Sequence, residues 1–195
     1  RLGQALAYHP SRESLLLFGG NFEDGALWEL GQAASQWTSL ENASAGPAAW
    51  AEGAKEAPPP QRWGRMVHQR GEERILLLGG RWAAPSGEKL PLRDLWAWDA
   101  SGWKRLDGWG EGAGPEPGSG LTVDERGRLF TFGGPSQALR SWSAGRGWKK
   151  EGGATPSPPS RQAPGVAWTA QGLLVLGGHP ARAEPYPLDH AWLWR

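Results

Sequence analysis

The sequence has no cysteine, one methionine, two tyrosines and almost no net charge: 21 Lys and Arg against 20 Asp and Glu leave +1. Without cysteine there is no disulfide, zinc ribbon, iron–sulfur cluster or thiol nucleophile, although the compartment stays open. A charge this small gives no electrostatic case for nucleic acid or an anionic membrane, so neither is an expected partner. The longest apolar runs are short, such as Leu15–Phe18 and Ile75–Leu78. A membrane helix needs about 20 apolar residues, and none is expected here. No targeting segment is visible and the chain begins at Arg1, which reads as a soluble, processed or partial product whose localisation is unknown.

What the chain has in quantity is glycine, proline and tryptophan: 30, 17 and 14 among 195 residues. Gly and Pro at about a quarter of a chain hint at disorder. The tryptophans argue the other way, because large aromatics need apolar packing that a disordered coil cannot supply. Together these features predict many short strands joined by tight turns and packed on aromatics. The length suits one domain, or at most two small ones.

Self-similarity sharpens that expectation. One phrase recurs four times, at Leu15–Gly20, Ile75–Gly80, Leu129–Gly134 and Leu173–Gly178, each an apolar run ending in Gly-Gly. The glycine pairs are Gly19–Gly20, Gly79–Gly80, Gly133–Gly134 and Gly177–Gly178, with spacings of 60, 54 and 44 between first glycines. Each run has the length of a buried strand and ends in a turn signal. The paired glycines suit positive φ or close backbone approach. An aromatic strand follows each pair, most regular at Asp94–Asp99, with counterparts at 26–30, 139–142 and 190–194. A lone tryptophan then recurs at Trp37, Trp103 and Trp148, and an opening strand precedes the glycine pairs, introduced by Arg1-x-Gly3, by Arg62-Trp63-Gly64 and less cleanly by residues 159–161. Each unit therefore reads as four strands, a to d, with b ending in Gly-Gly and d carrying the tryptophan.

In these motifs the chain resembles the kelch-repeat family, whose unit is one four-stranded blade of a β-propeller. The resemblance spans essentially the whole chain and implies an all-β, single-domain propeller with blades at about 1–40, 62–106, 118–151 and 161–195. Residues 41–61 form a long connector. The third unit departs from the pattern, with Arg140 where the second has Trp96. The fourth unit reaches Arg195 just past strand c, giving three full blades and three strands of a fourth, about 3.75 blades. The expectation is a propeller continued in a longer chain, or completed by a protein partner or second copy; compact four-bladed closure is the remaining alternative.

Strand alternation puts the a–b and c–d turns on one side of each blade and the b–c and d–a loops on the other. The latter are longer and more varied, at residues 21–25, 41–61, 81–93, 107–117 and 179–189, and long loops on a rigid scaffold are where binding sits. The candidate contact residues there are Arg81, Trp82, Arg93, Trp109, His179, Arg182, Glu184 and Tyr186, with Glu88, Lys89, Glu111 and residues 21–24 around them. Trp50, Trp82 and Trp109 fall outside the repeat, where an exposed tryptophan suggests ligand stacking. Trp37, Trp103 and Trp148 read as structural.

Catalytic signals are scarce. There is no nucleophile elbow and no phosphate loop. Some kelch-type propellers resemble galactose oxidase, but its Tyr–Cys cofactor is excluded by the lack of cysteine. Of His9, His68, His179 and His190, only the last two share a unit; with Asp189 and Glu184 they form the sole His/carboxylate cluster visible in the sequence. His190 occupies the strand-c position of Asp94, so no metal and no cofactor are expected. The resemblance implies a non-catalytic module binding a protein or a glycan through the long-loop face. The alternatives are a sugar-acting enzyme similar to sialic-acid mutarotases, using loop Arg and Glu, and a purely structural part of a larger assembly.

Overall fold

The computed structural model describes residues 1–20, 25–40, 57–108, 113–152, 158–159, 161–180 and 191–194. These are all-β, with one short 3-10 turn and no α-helix. They form four blade-like antiparallel sheets, two in each of two compact units, Arg1–Gly108 and Trp109–Arg195.

In the first unit, blade one consists of β1 (Gln4–His9), β2 (Ser14–Gly19), β3 (Leu27–Gly31) and β4 (Thr38–Ser39), paired in chain order. The short turn Pro10–Arg12 joins β1 to β2. β5 (Gln61–Arg62) precedes blade two, whose ladder is β6 (Arg65–Gln69), β7 (Arg74–Leu78), β10 (Asp94–Asp99) and β11 (Gly102–Gly108). Between β7 and β10 the chain folds a separate hairpin, β8 (Arg81–Ala83) and β9 (Lys89–Pro91). β5 pairs with β8 to give a small third sheet.

The two blades pack face to face on one apolar core. β1 buries Ala5, Ala7 and His9 and exposes Gln4, Leu6 and Tyr8, as a period of two dictates. Ala5 and Ala7 join Leu16, Phe18 and Leu27 of their own blade and Met66, Ile75, Leu77, Trp96 and Trp98 of the next. Trp103 closes the edge, its ring 5.4 Å from that of Phe18 in a T-shaped contact.

The second unit repeats this arrangement. Blade three is β12 (Gly120–Val123), β13 (Leu129–Phe132), β14 (Arg140–Ser143) and β15 (Gly147–Lys150). After β16 (Arg161–Gln162), blade four shows β17 (Gly165–Thr169), β18 (Gly172–Leu176) and β20 (Ala191–Trp194) among the described residues. β19 (His179–Pro180) leaves that ladder and pairs with β16. The shared core holds Phe130, Phe132, Leu139, Leu173 and Val175, with Phe130 stacked 4.8 Å from Trp168.

Within each unit one glycine pair, Gly19–Gly20 or Gly133–Gly134, forms the corner to the next blade. All eight glycines of the four pairs have positive φ. In the first unit Gly20 N–H donates to the Gln61 carbonyl at 2.9 Å, and Trp63 N–H donates to Gly3 O. In the second unit Gly134 N–H donates to the Arg161 carbonyl at 3.0 Å, and Ala163 N–H donates to Gly118 O. These equivalences place Arg161 opposite Gln61 and Arg1, one position from the alignment on Arg62 that the sequence suggests. The Arg1 and Arg161 guanidinium groups each donate, at 3.0 Å, to the carbonyl of the first glycine of their own blade, Gly19 and Gly177. The recurring arginine therefore ties the start of strand a to the end of strand b. At the remaining departure, Arg140 pairs with Thr131 where Trp96 pairs with Leu77, and it is buried like the tryptophan it replaces.

Two of the paired glycines differ in how much they tolerate. A Cβ on Gly133 (φ +119) would lie 3.0 Å from the Arg161 carbonyl oxygen and 3.1 Å from Pro164 Cδ, whereas on Gly79 (φ +54) its nearest contact is Leu92 O at 3.5 Å. Gly79→Val carries backbone strain alone, about 1–3 kcal/mol. Gly133→Val adds overpacking of a further ~1–3 kcal/mol. Thermal unfolding is expected to show a clearly larger drop for Gly133→Val.

Candidate functional site

Strand parity decides what the far end of the first unit's core contains. His9 lies on the face of β1 that carries Ala5 and Ala7, and His68 lies two residues from Met66 on β6, so both imidazoles point into the seam between blades one and two. Their ring centroids are 4.8 Å apart with planes tilted by 55°. His9 is 5% exposed, and the His68 side chain 9%. Glu73 comes from the β6–β7 turn, held in a left-handed conformation (φ 47) that Glu13 shares in the β1–β2 turn. One ligand atom from each of His9, His68 and Glu73 lies within 4.8 Å of the other two.

Neighbouring groups fix the carboxylate. The Ser11 hydroxyl donates to Glu73 Oε2 across the two turns. That hydrogen bond is the main cause holding the Glu73 carboxyl below the usual carboxylate range. Arg12 forms a two-pronged pair with Glu29 at 2.8 and 3.0 Å, Ser14 donates to the same carboxylate at 2.7 Å, and the guanidinium lies 5.4 Å over the Trp98 ring. The nearby cation is thus neutralised by its own partner.

The imidazoles are less well served. His9 Nδ1 and His68 Nε2 are buried and have no hydrogen-bond partner among the described residues. His68 Nε2 stands 3.7 Å from Glu73 Oε2, too far for a hydrogen bond. A buried, unanswered polar atom costs about 1–3 kcal/mol. Burial, then the charges of His9 and Arg70, push the His68 pKa down, while Glu73 pulls it up; the net direction is below the ordinary value. His68 is therefore neutral at neutral pH and presents a lone pair. Two imidazole nitrogens and a carboxylate are donors suited to a transition metal.

The sequence missed this cluster. His9 and His68 belong to different repeats at non-equivalent positions, and Glu73 sits in a turn that reads as an ordinary polar connection. The available signal was parity, since each histidine continues the buried alternation of its strand beyond the last apolar residue.

The residues expected on the long-loop side are distributed differently. Arg81 is exposed on β8, Arg93 is half-buried just before β10, and His179 is exposed on β19. Glu88 and Lys89 are exposed at and beside the tip of the β8–β9 hairpin. Trp109, Arg182, Glu184 and Tyr186 lie outside the described residues, as do Asn21, Phe22, Glu23, Asp24, Trp50, Glu111, Asp189 and His190. The convergence of Arg81 with Arg182 and Glu184 that an enzyme would need therefore falls outside the described residues too.

Trp82 is a correction. It is not an exposed loop aromatic but 6% exposed, in register between Gln61 of β5 and Leu90 of β9. Residues 81–91 form a hairpin rather than a loop, and on a three-stranded sheet the central position is covered. Trp37 departs in the opposite sense: it is 39% exposed, because strand d of blade one has shrunk to Thr38–Ser39 and offers little surface to cover it. Trp103 and Trp148 are half-buried in full strands.

A comparison with models of known protein families finds no match for this chain. The reversed burial gives a direct check. Trp82→Ala is expected to cost about 3–5 kcal/mol as a buried aromatic deletion. Trp37→Ala is expected to cost under about 1 kcal/mol. Chemical denaturation of the two variants should separate them clearly.

Proposed function

We propose that the chain is a kelch-type propeller module, without catalytic activity of its own, that binds a protein or glycan through the side carrying the b–c and d–a connections. The reading is supported by an asymmetry repeated in both units. On the a–b side the connections are tight turns, Pro10–Arg12 in blade one and an Asp124-capped turn in blade three, where the carboxylate accepts from the N–H groups of Arg126 and Arg128. On the other side the b–c segment leaves the ladder and pairs with the segment preceding its own strand a: β8 with β5 in blade two, β19 with β16 in blade four.

The chain thus builds a second, smaller sheet on that side at the same place in both units. In blade two it is anchored by buried Trp82 and Gln61 and presents the charged side chains of Arg81, Glu88 and Lys89. A rigid platform with a mixed charged surface suits specific contact better than a mobile loop would, since little order is lost on binding. Apolar exposure supports association as well. Leu6 and Tyr8 on the open face of β1 are 49% and 52% exposed, and Leu176 of β18 is 52% exposed. These strand faces would suit a further blade supplied by a longer chain, a partner or a second copy.

Binding is checked on glycan and peptide arrays with the wild type, followed by titration of the best ligand. Charge reversal at both Arg81 and Lys89 is expected to weaken that ligand at least tenfold without shifting the melting temperature. Reversal at Glu125 and Arg126, in the a–b turn of blade three, should leave affinity unchanged. Equal loss in both variants, or in neither, removes the proposal.

A further inference from the structure

From the seam between blades one and two, we infer that His9, His68 and Glu73 form a binding site for a single zinc ion, which cross-links the two blades. The residues come from both blades: His9 from the end of β1, His68 from near the end of β6, and Glu73 from the β6–β7 turn. Each offers one ligand atom, and all three atoms lie within 4.8 Å of one another. Tetrahedral zinc with bonds near 2.0–2.1 Å sets its ligands about 3.4 Å apart, so small side-chain rotations bring all three protein ligands to coordinating distance. Glu73 is exposed, and a small shift of its carboxylate within the Ser11 hydrogen bond closes that gap.

Two observations beyond proximity point to a ligand. His9 is 5% exposed and the His68 side chain 9%, yet among the described residues His9 Nδ1 and His68 Nε2 have no hydrogen-bond partner. A histidine pair serving only as packing would turn such nitrogens toward a carbonyl, a hydroxyl or solvent. The carboxylate, moreover, is already oriented, because Ser11 donates to Glu73 Oε2 from the neighbouring turn. Such outer partners hold a ligating carboxylate in place.

The donor set selects the ion. Two imidazoles with one carboxylate suit zinc and its transition-metal neighbours, whereas calcium and magnesium prefer all-oxygen surroundings. Three protein ligands leave a fourth position, which the exposed side of Glu73 opens to water. The ion would add a link between blades already joined by apolar packing, the corner hydrogen bonds and the Ser11–Glu73 contact. The site is independent of the long-loop platform, so either reading can fail alone.

The test is calorimetric titration of zinc chloride into the untagged full chain after chelator treatment, repeated with cobalt(II) and read by visible absorption. The expected result is saturable binding of one zinc per chain, a rise in melting temperature with zinc, and tetrahedral cobalt bands. Glu73→Gln removes an exposed carboxylate without disturbing the core and should weaken zinc at least tenfold; His68→Gln should do the same. His179→Gln, an exposed histidine outside the cluster, should bind as the wild type does. Absence of stoichiometric binding in the wild type overturns the site. So does binding that Glu73→Gln and His68→Gln leave unchanged, and the first of these variants answers even if the second fails to fold.

Discussion

Everything in each unit depends on how one blade is held against the next. The apolar faces supply most of the free energy, but a flat apolar face has no preferred registration. Registration comes from the backbone clamp at the corner: Gly20 N–H to the Gln61 carbonyl in the first unit, Gly134 N–H to the Arg161 carbonyl in the second. Those N–H groups reach across only because the glycines adopt positive φ and no Cβ intervenes. Once the corner is set, side-chain alternation along strand a fixes which residues enter the seam and which remain outside.

Both the seam chemistry and the peripheral sheets follow from that geometry. In the first unit the alternation that seats Ala5 and Ala7 also seats His9, and on the opposite blade it seats His68 behind Met66. In the second unit the equivalent seam sets Trp168 on Phe130 and Trp194 edge-on to Phe132 at 6.0 Å, and Trp168 N–H donates to the Thr122 hydroxyl across it at 3.1 Å. The architecture is therefore shared between the units, and among the described residues the histidine pair belongs to the first. A reader of the fold alone would not predict it; a reader of strand parity would.

Four apolar runs ending in Gly-Gly, each followed by an aromatic strand, made the ladders legible in the sequence, and β2, β7, β13 and β18 lie where those runs are. What was not legible depended on pairing over distance. β8 has one tryptophan and no alternation of its own, and it becomes a strand by meeting β5, which lies about twenty residues upstream in a proline-rich connector. Trp82 was misjudged for that reason, as was Trp37, whose repeat position promises burial that a two-residue strand cannot provide. The histidine cluster needed both the parity of two strands and their juxtaposition, and only the first is written locally. The repeat arginine was visible as a motif, but its use as a tether to the first glycine carbonyl was not.

The β8–β9 hairpin also says something about how such a chain can change. Its tip is closed by Ala84 N–H to Glu88 O and Gly87 N–H to Ala84 O, both at 2.8 Å, and Gly87 (φ +84) would meet nothing within 4 Å if it gained a side chain. The residues at that tip, Pro85 to Glu88, project into solvent, while everything beneath them is pinned by Trp82. Loop closure grows slowly with length, so added residues there would cost little. Blade three, by contrast, joins its second and third strands through Gly133–Leu139 with no hairpin at all. The same corner of the blade thus accommodates a bare turn or a decorated one, and lengthening or grafting at Pro85–Glu88 is where new sequence can be carried without disturbing the ladders.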